Sequence, residues 1–417
     1  MTSPVWHPFT QHGTAPPAIP VVRAKGAWIE TTDGARLLDA ISSWWVVTHG
    51  HGHPAIVAAI QRQAETLGQV IFAGLTHEPA ERLARELIAV APPGLSHVFY
   101  SDSGSTAVEV ALKMALGFWR NRGIARTRIL ALEHAYHGDT VGTMSAGARG
   151  VFTAAYEPLL FDVGRLPFPA AGHEQETLDA LDAVCRSEAV AALIVEPLVL
   201  GAGGMLVYPP WVLTEMARIC AAHGVLFIAD EVMTGWGRTG TMFACEQAGV
   251  TPDILCVAKG LTGGMVPLAA TLCRPEIFEA HRSQDRARMF FHSSSYTANP
   301  ICCAAALANL AVWREEPVAE RMAALCDLQA AELSRLSDQI RLTRLRRCGT
   351  ITAFDLVDAS PGYLADAGPR LQAYFLSRGL LLRPLGGTIY VMPPYCITAG
   401  ELAGITDTIC DALSGGL

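Results

Sequence analysis

The sequence predicts an α/β protein, a large domain with a mostly parallel central sheet joined to a smaller α/β domain formed by both chain ends. Three observations predict it. Short apolar runs alternate with helix-length amphipathic stretches through the middle of the chain, the pattern of a sheet covered by helices on both faces. The chain has 417 residues, more than one ordinary core holds. Its two ends carry a hairpin pattern and long helices of a different character. The expected large domain spans residues 51–315, and the small domain takes 1–50 and 316–417.

Taken in order, residues 28–40 read as a hairpin, with Asp33-Gly34 making the turn. Residues 97–102, 128–133, 191–197, 225–232, 253–259 and 268–274 read as strands, each a short apolar run bounded by polar residues or glycine. Residues 106–123 and 211–224 read as helices with a glycine stop. Residues 319–415 predict two long amphipathic helices, a strand around Thr352–Val357 and a pair of strands around Leu380–Pro393. Ligands of such a sheet are expected at its carboxyl edge.

Composition narrows the function. Thirty-one Lys and Arg against thirty-nine Asp and Glu give a formal charge of −8 with no basic block, which argues against nucleic acid. No apolar run reaches the roughly 18–20 residues of a membrane helix, and the first residues lack the features of a secretory signal, so a cytoplasmic location is expected. The eleven cysteines are odd in number and form no CxxC pair, and they read as small buried hydrophobes with no metal site among them.

Chemistry concentrates at four places. Asp230 and Glu231 end an apolar strand, where a carboxylate is costly unless a cation or donor meets it. Alone, the pair would read as a helix cap or structural ion pair. Lys259 closes the next apolar run before Gly260, and a lysine there can lose its proton and attack an aldehyde. Gly104 and Ser105 begin a helix after a strand, offering N–H groups and a hydroxyl to a phosphate; the spacing is not GxGxxG, so a phosphate monoester fits better than a dinucleotide. Tyr136 follows another strand and could stack on a flat ring, with Asp139 near enough to meet a substrate amine. Together they ask for one flat, phosphorylated, aldehyde-bearing molecule, which is pyridoxal phosphate.

With these residues in place the chain resembles the class III aminotransferases of the fold-type I pyridoxal-phosphate enzymes, from about residue 5 to the end. The separation of 29 positions from Asp230 to Lys259 is typical of that family. Within it, residues 6–10, 42–45, 101–105, 136–140, 196–205, 237–240, 259–264, 299–300 and 382–395 resemble the members that aminate 8-amino-7-oxononanoate to 7,8-diaminononanoate in biotin synthesis. That resemblance implies S-adenosylmethionine as amino donor, although some relatives use lysine, and a homodimer with shared active sites. The alternatives are another class III omega-aminotransferase, acting on 4-aminobutyrate, ornithine, a diamine or beta-alanine, or an aminomutase of the same fold.

The resemblance also implies roles. Lys259 carries the cofactor and shuttles a proton; Asp230 faces the ring nitrogen; Tyr136 covers one ring face and Val232 the other. Gly104, Ser105 and a hydroxyl from Ser294 or Ser295 hold the phosphate, that hydroxyl coming from the neighbouring subunit. Phe9, Trp44, Trp45, Asp139 and Arg383 bind substrate, Arg383 as a bidentate carboxylate clamp. Three positions depart from the pattern: Phe9 replaces a tyrosine, Leu200 replaces a glutamine, and residues 291–296 replace the commoner HisGlyProThr loop.

Overall fold

A computed structural model describes residues 3–337, 339–357 and 362–415. Seven strands form the central sheet: β1 (His97–Ser101), β2 (Arg128–Leu132), β3 (Gly164–Leu166), β4 (Val190–Val195), β5 (Leu226–Asp230), β6 (Ile254–Val257) and β7 (Ala269–Cys273), in the spatial order β1-β7-β6-β5-β4-β2-β3. All neighbours pair in parallel except β7, which runs antiparallel to both β1 and β6. The expected mostly parallel α/β sheet is therefore present, with one reversed strand.

Strand periodicity decides which residues face which helix layer. Ile129, Ala131, Ile194, Ile228, Ile254 and Cys256 pack with helix Gly104–Asn121 on one face. Their neighbours Leu130, Leu132, Leu193, Val195, Phe227, Ala229, Leu255 and Val257 join a second, larger core on the other. Because both faces are covered, these strands read as continuous apolar runs. The six strands expected from the sequence are all found. Strand β3 was not expected, since three residues leave too short an apolar run.

Two further sheets involve the chain ends. Strands Val21–Lys25, Trp28–Thr31 and Arg36–Asp39 form an antiparallel meander, and Leu380–Leu381 adds to Arg36–Asp39 in parallel. Strands Leu342–Cys348, Ile351–Leu356 and Thr388–Val391 form a third sheet. The expected pair around Leu380–Pro393 is thus corrected. Its two strands exist, but they leave the turn at Pro384–Gly387 for different sheets. Among the described residues no helix is long and apolar enough to cross a membrane.

Candidate active site

Parallel pairing sets Asp230 opposite Cys256, so the carboxyl ends of β5 and β6 lie side by side. β1 runs in the same direction and delivers Gly104 to the same edge. A cavity of about 420 Å³ opens there, lined among others by Trp45, Gly104, Ser105, Tyr136, Glu196, Asp230, Val232 and Lys259. The four sequence sites therefore meet in one place.

Lys259 follows strand β6 with a positive φ of 44° and opens a tight turn that ends at Gly263 in the left-handed conformation. Asn309 holds the turn: its amide donates to the carbonyls of Gly260 and Leu261, both at 3.0 Å. Dense packing around the side chain pulls the amine below its ordinary pKa; Asp230 and Glu196 oppose that fall and Arg238 adds to it. The side chain is half-buried because its open area faces the cavity, and its Nζ lies 5.2 Å from the Trp45 ring centre. An amine so placed is closer to its nucleophilic form than a surface lysine.

Asp230 is buried, and its two oxygens have different partners. Oδ1 accepts from the Val232 N–H at 3.1 Å, and Oδ2 meets His137 Nδ1 at 2.7 Å. The other ring nitrogen of His137 is buried with no hydrogen-bond partner among the described residues. His137 is a residue sequence reasoning missed, although it adjoins Tyr136. Glu196 is another. It ends the strand before β5, accepts from the N–H groups of Tyr136 and Gly201 at 2.9 Å each, and is pushed up to about 7 by burial, with His137 opposing and Asp230 reinforcing. Tyr136 is half-buried, with its hydroxyl pKa raised by burial and by Asp139.

The phosphate expectation has a local basis. Ser103 caps helix Gly104–Asn121 through a reciprocal exchange with Thr106, which leaves the N–H groups of Gly104 and Ser105 without a chain partner among the described residues. A Cβ on Gly104 would lie 2.5 Å from Val232 Cγ1, and one on Gly138 would lie 2.1 Å from Ser105 Oγ. Only glycine lets the three segments close into a cradle.

Asp139 does not line the cavity; it is exposed, its N–H donates to Ser105 Oγ at 3.3 Å and its carboxylate lies beside the Tyr136 hydroxyl. The two tryptophans separate. Trp45 is buried and donates to Tyr390 Oη at 3.0 Å, whereas Trp44 is 45% exposed, with Arg383 stacked 5.5 Å above its ring centre. Phe9 packs on Trp44 with ring centres 5.7 Å apart. Ser294 donates to Asp102 at the cavity rim, and the exposed Ser295 contributes its carbonyl to Gln69 at 2.8 Å.

A half-buried lysine, the buried carboxylate of Asp230 and a helix start with two N–H groups unpartnered among the described residues thus line one cavity. The model of the class III aminotransferase family matches residues 9–413, and the chain belongs to that family, with pyridoxal phosphate as its cofactor. Among relatives, the adenosylmethionine-8-amino-7-oxononanoate aminotransferase of Synechococcus elongatus is 48% identical, covering 98% of each chain. The enzyme of that name from Mycobacterium leprae is 40% identical over 98% of this chain and 94% of its own. The crystal structure of the one from Methanocaldococcus jannaschii matches with a TM-score of 0.94 at 34% identity, covering 99% of this chain and 97% of that one. An amine transaminase from an uncultivated Pseudomonas species, solved with PLP bound, matches with a TM-score of 0.93 at 32% identity over 99% of both chains.

Proposed function

We propose that the protein aminates 8-amino-7-oxononanoate to 7,8-diaminononanoate in biotin synthesis, with S-adenosylmethionine as the amino donor. The fold does not choose between this reaction and general amine transamination, since both kinds of solved relative match almost equally well. The observation that carries the choice is Arg383, a guanidinium 5.5 Å over the ring of Trp44, whose chain neighbour Trp45 has its ring centre 5.2 Å from Lys259 Nζ. Among the described residues it meets no carboxylate, so it is available to one on a substrate. The relatives' names point the same way.

When bound, pyridoxal phosphate supplies an aldehyde carbon that can carry the amino group between the two substrates and a ring that withdraws electrons from it. Gly104 and Ser105 would hold its phosphate, Tyr136 and Val232 would lie on its two ring faces, and Asp230, fixed by His137, would hold a proton at its ring nitrogen. Lys259, favoured as a neutral amine by burial, serves as the base that moves the proton alpha to the substrate nitrogen. Phe9, Trp44 and Trp45 would cover the acid's methylenes. Asp139 acts on Tyr136, and a direct contact with the substrate amine is no part of this reading.

The homodimer belongs to the same proposal, with Ser295 of a second copy completing the phosphate site, because the Ser294 hydroxyl is taken by Asp102 within its own chain. So do the division into a large domain, 51–315, and a small one from 1–50 and 316–417, which the sheet shared between Arg36–Asp39 and Leu380–Leu381 supports. A cytoplasmic location is proposed as well; the eleven cysteines are all unpaired and buried or half-buried. The test is single-turnover reaction of the aminated enzyme with the oxo acid and with its methyl ester, wild type against Arg383→Lys. The wild type is expected to prefer the acid, and the variant to lose that preference by roughly ten- to a hundredfold. Equal reaction of acid and ester in the wild type would overturn the substrate assignment and favour a general omega-aminotransferase.

A further inference from the structure

The turn that carries Arg383 is packed against a second segment, 362–368. Gly386 has a φ of +61°, and a Cβ there would lie 2.1 Å from the Gly362 carbonyl oxygen, so the two backbones are in direct contact. This contact sets Tyr363 beside Arg383. Arg383 Nη2 donates to Tyr363 Oη at 3.1 Å and to the Phe9 carbonyl at 3.2 Å. A guanidinium has five N–H donors, and these bonds occupy both on Nη2. The Nε–H and the Nη1 hydrogens remain. The Tyr363 hydroxyl, accepting from Arg383, keeps its own hydrogen to donate. Around it the rings close up: Tyr363 lies 4.7 Å from Phe152 and 6.3 Å from Phe9 between ring centres.

We propose that Tyr363 is a specificity-determining residue that binds, together with Arg383, the carboxylate of the long-chain substrate. The inference rests on the function proposed above. Arg383 would give the carboxylate one N–H from Nη1 and Tyr363 one O–H, with the rings of Phe9, Trp44 and Phe152 packed around the pair. Phe9 brings a ring but no hydroxyl to this cluster. Tyr363, from the far end of the chain, supplies one beside the same guanidinium.

The test uses the cofactor-loaded enzyme and two probes of equal chain length, nonanoate and 1-nonanol, titrated calorimetrically. Tyr363→Phe keeps the ring and removes the donor. It is expected to raise the Kd for nonanoate roughly tenfold or more, as loss of a hydrogen bond to a charged group does, with the nonanol Kd and the cofactor absorbance unmoved. Gly386→Ala, which displaces the 362–368 segment, should reproduce that split. An unchanged nonanoate Kd in Tyr363→Phe, or equal weakening of both probes, overturns the assignment. Arg383→Lys separates the two levels. If Arg383→Lys weakens nonanoate selectively and Tyr363→Phe does not, Tyr363 alone is wrong; if wild-type enzyme binds nonanoate no better than nonanol, the carboxylate reading fails and Tyr363 falls with it.

Discussion

Glu196 shows what a single residue contributes at the wall of the cavity. Two backbone N–H groups favour its ionised form, yet burial outweighs them and its pKa rises from 4.5 to about 7. A carboxyl whose folded pKa exceeds its unfolded one stabilises the fold fully below the unfolded value, and that contribution is lost as pH rises through the folded value. The window is therefore about pH 4.5 to 7, and the amount on the order of 3 kcal/mol. Glu196→Gln cannot titrate, although its amide nitrogen must face one of the two N–H donors. We expect the cofactor-free variant to melt below wild type at pH 5 and the gap to narrow by pH 8. Melting curves across the range decide it; a constant gap would remove Glu196 as the titrating group. Residues such as Lys259 and Asp230 were legible in the sequence because each ends an apolar run. Glu196 ends one too, but its importance depends on Tyr136 and Gly201 donating to it, and the loop geometry that brings them there leaves no periodic trace.

The segment Ser42–Trp45 is an element held against its own preference. Ser42, Ser43 and Trp45 have φ values of 53°, 58° and 66°, each costing roughly 1–3 kcal/mol in a non-glycine residue. The fully buried Asp39 offsets this. Its Oδ1 accepts from the N–H groups of Ile41 and Ser43 at 3.2 and 2.8 Å, and its Oδ2 accepts from Ser43 Oγ at 3.1 Å and His51 Nε2 at 2.9 Å. Ser42 Oγ ties the segment to the Met392 carbonyl at 2.8 Å. The result turns Trp45 inward to Lys259 and Trp44 outward to Arg383. Asp39→Ala should cost about 3 kcal/mol or more in stability and raise the Michaelis constant for the oxo acid, with the cofactor still bound. A loss of stability without any change in that constant would mean packing alone orients the tryptophans. The double tryptophan was visible in the sequence, but its division of labour was not, since two adjacent residues reveal nothing about a backbone that departs from helix and strand. The strands of the main sheet were legible for the opposite reason, that burial on both faces writes itself as an unbroken apolar run. The strands at Leu380–Leu381 and Thr388–Val391 were visible as well, yet their partners lie far away in the chain, and local pattern carries no pairing information.

At the scale of the whole molecule, the surface around Ser295 is more apolar than an isolated chain would favour. Gln69 and Asn299 join the segments at 68–75 and 291–299 through hydrogen bonds at 2.8 to 3.0 Å. Those joined segments expose Ile71 at 67%, Leu75 at 53%, Phe291 at 63% and Tyr296 at 61%. Clustered large apolar residues mark an interaction surface, and a twofold axis would present the same patch to itself. If that interface brings Ser295 to the opposite phosphate cradle, each site draws Lys259 from one chain and Ser295 from the other. Two defective variants then complement each other. Lys259→Ala lacks the amine, and Ser295→Ala lacks the phosphate hydroxyl, the latter assayed at limiting pyridoxal phosphate where weak cofactor retention is exposed. After dissociation and remixing in equal amounts, half the dimers are mixed by chance and one site in each is wholly wild type, so about a quarter of all sites should recover. The recovered activity should also retain cofactor through gel filtration as the wild type does. Activity no greater than the mean of the two parents would show that the site is built from one chain, and Ser295 would lose its role while Gly104 and Ser105 kept theirs.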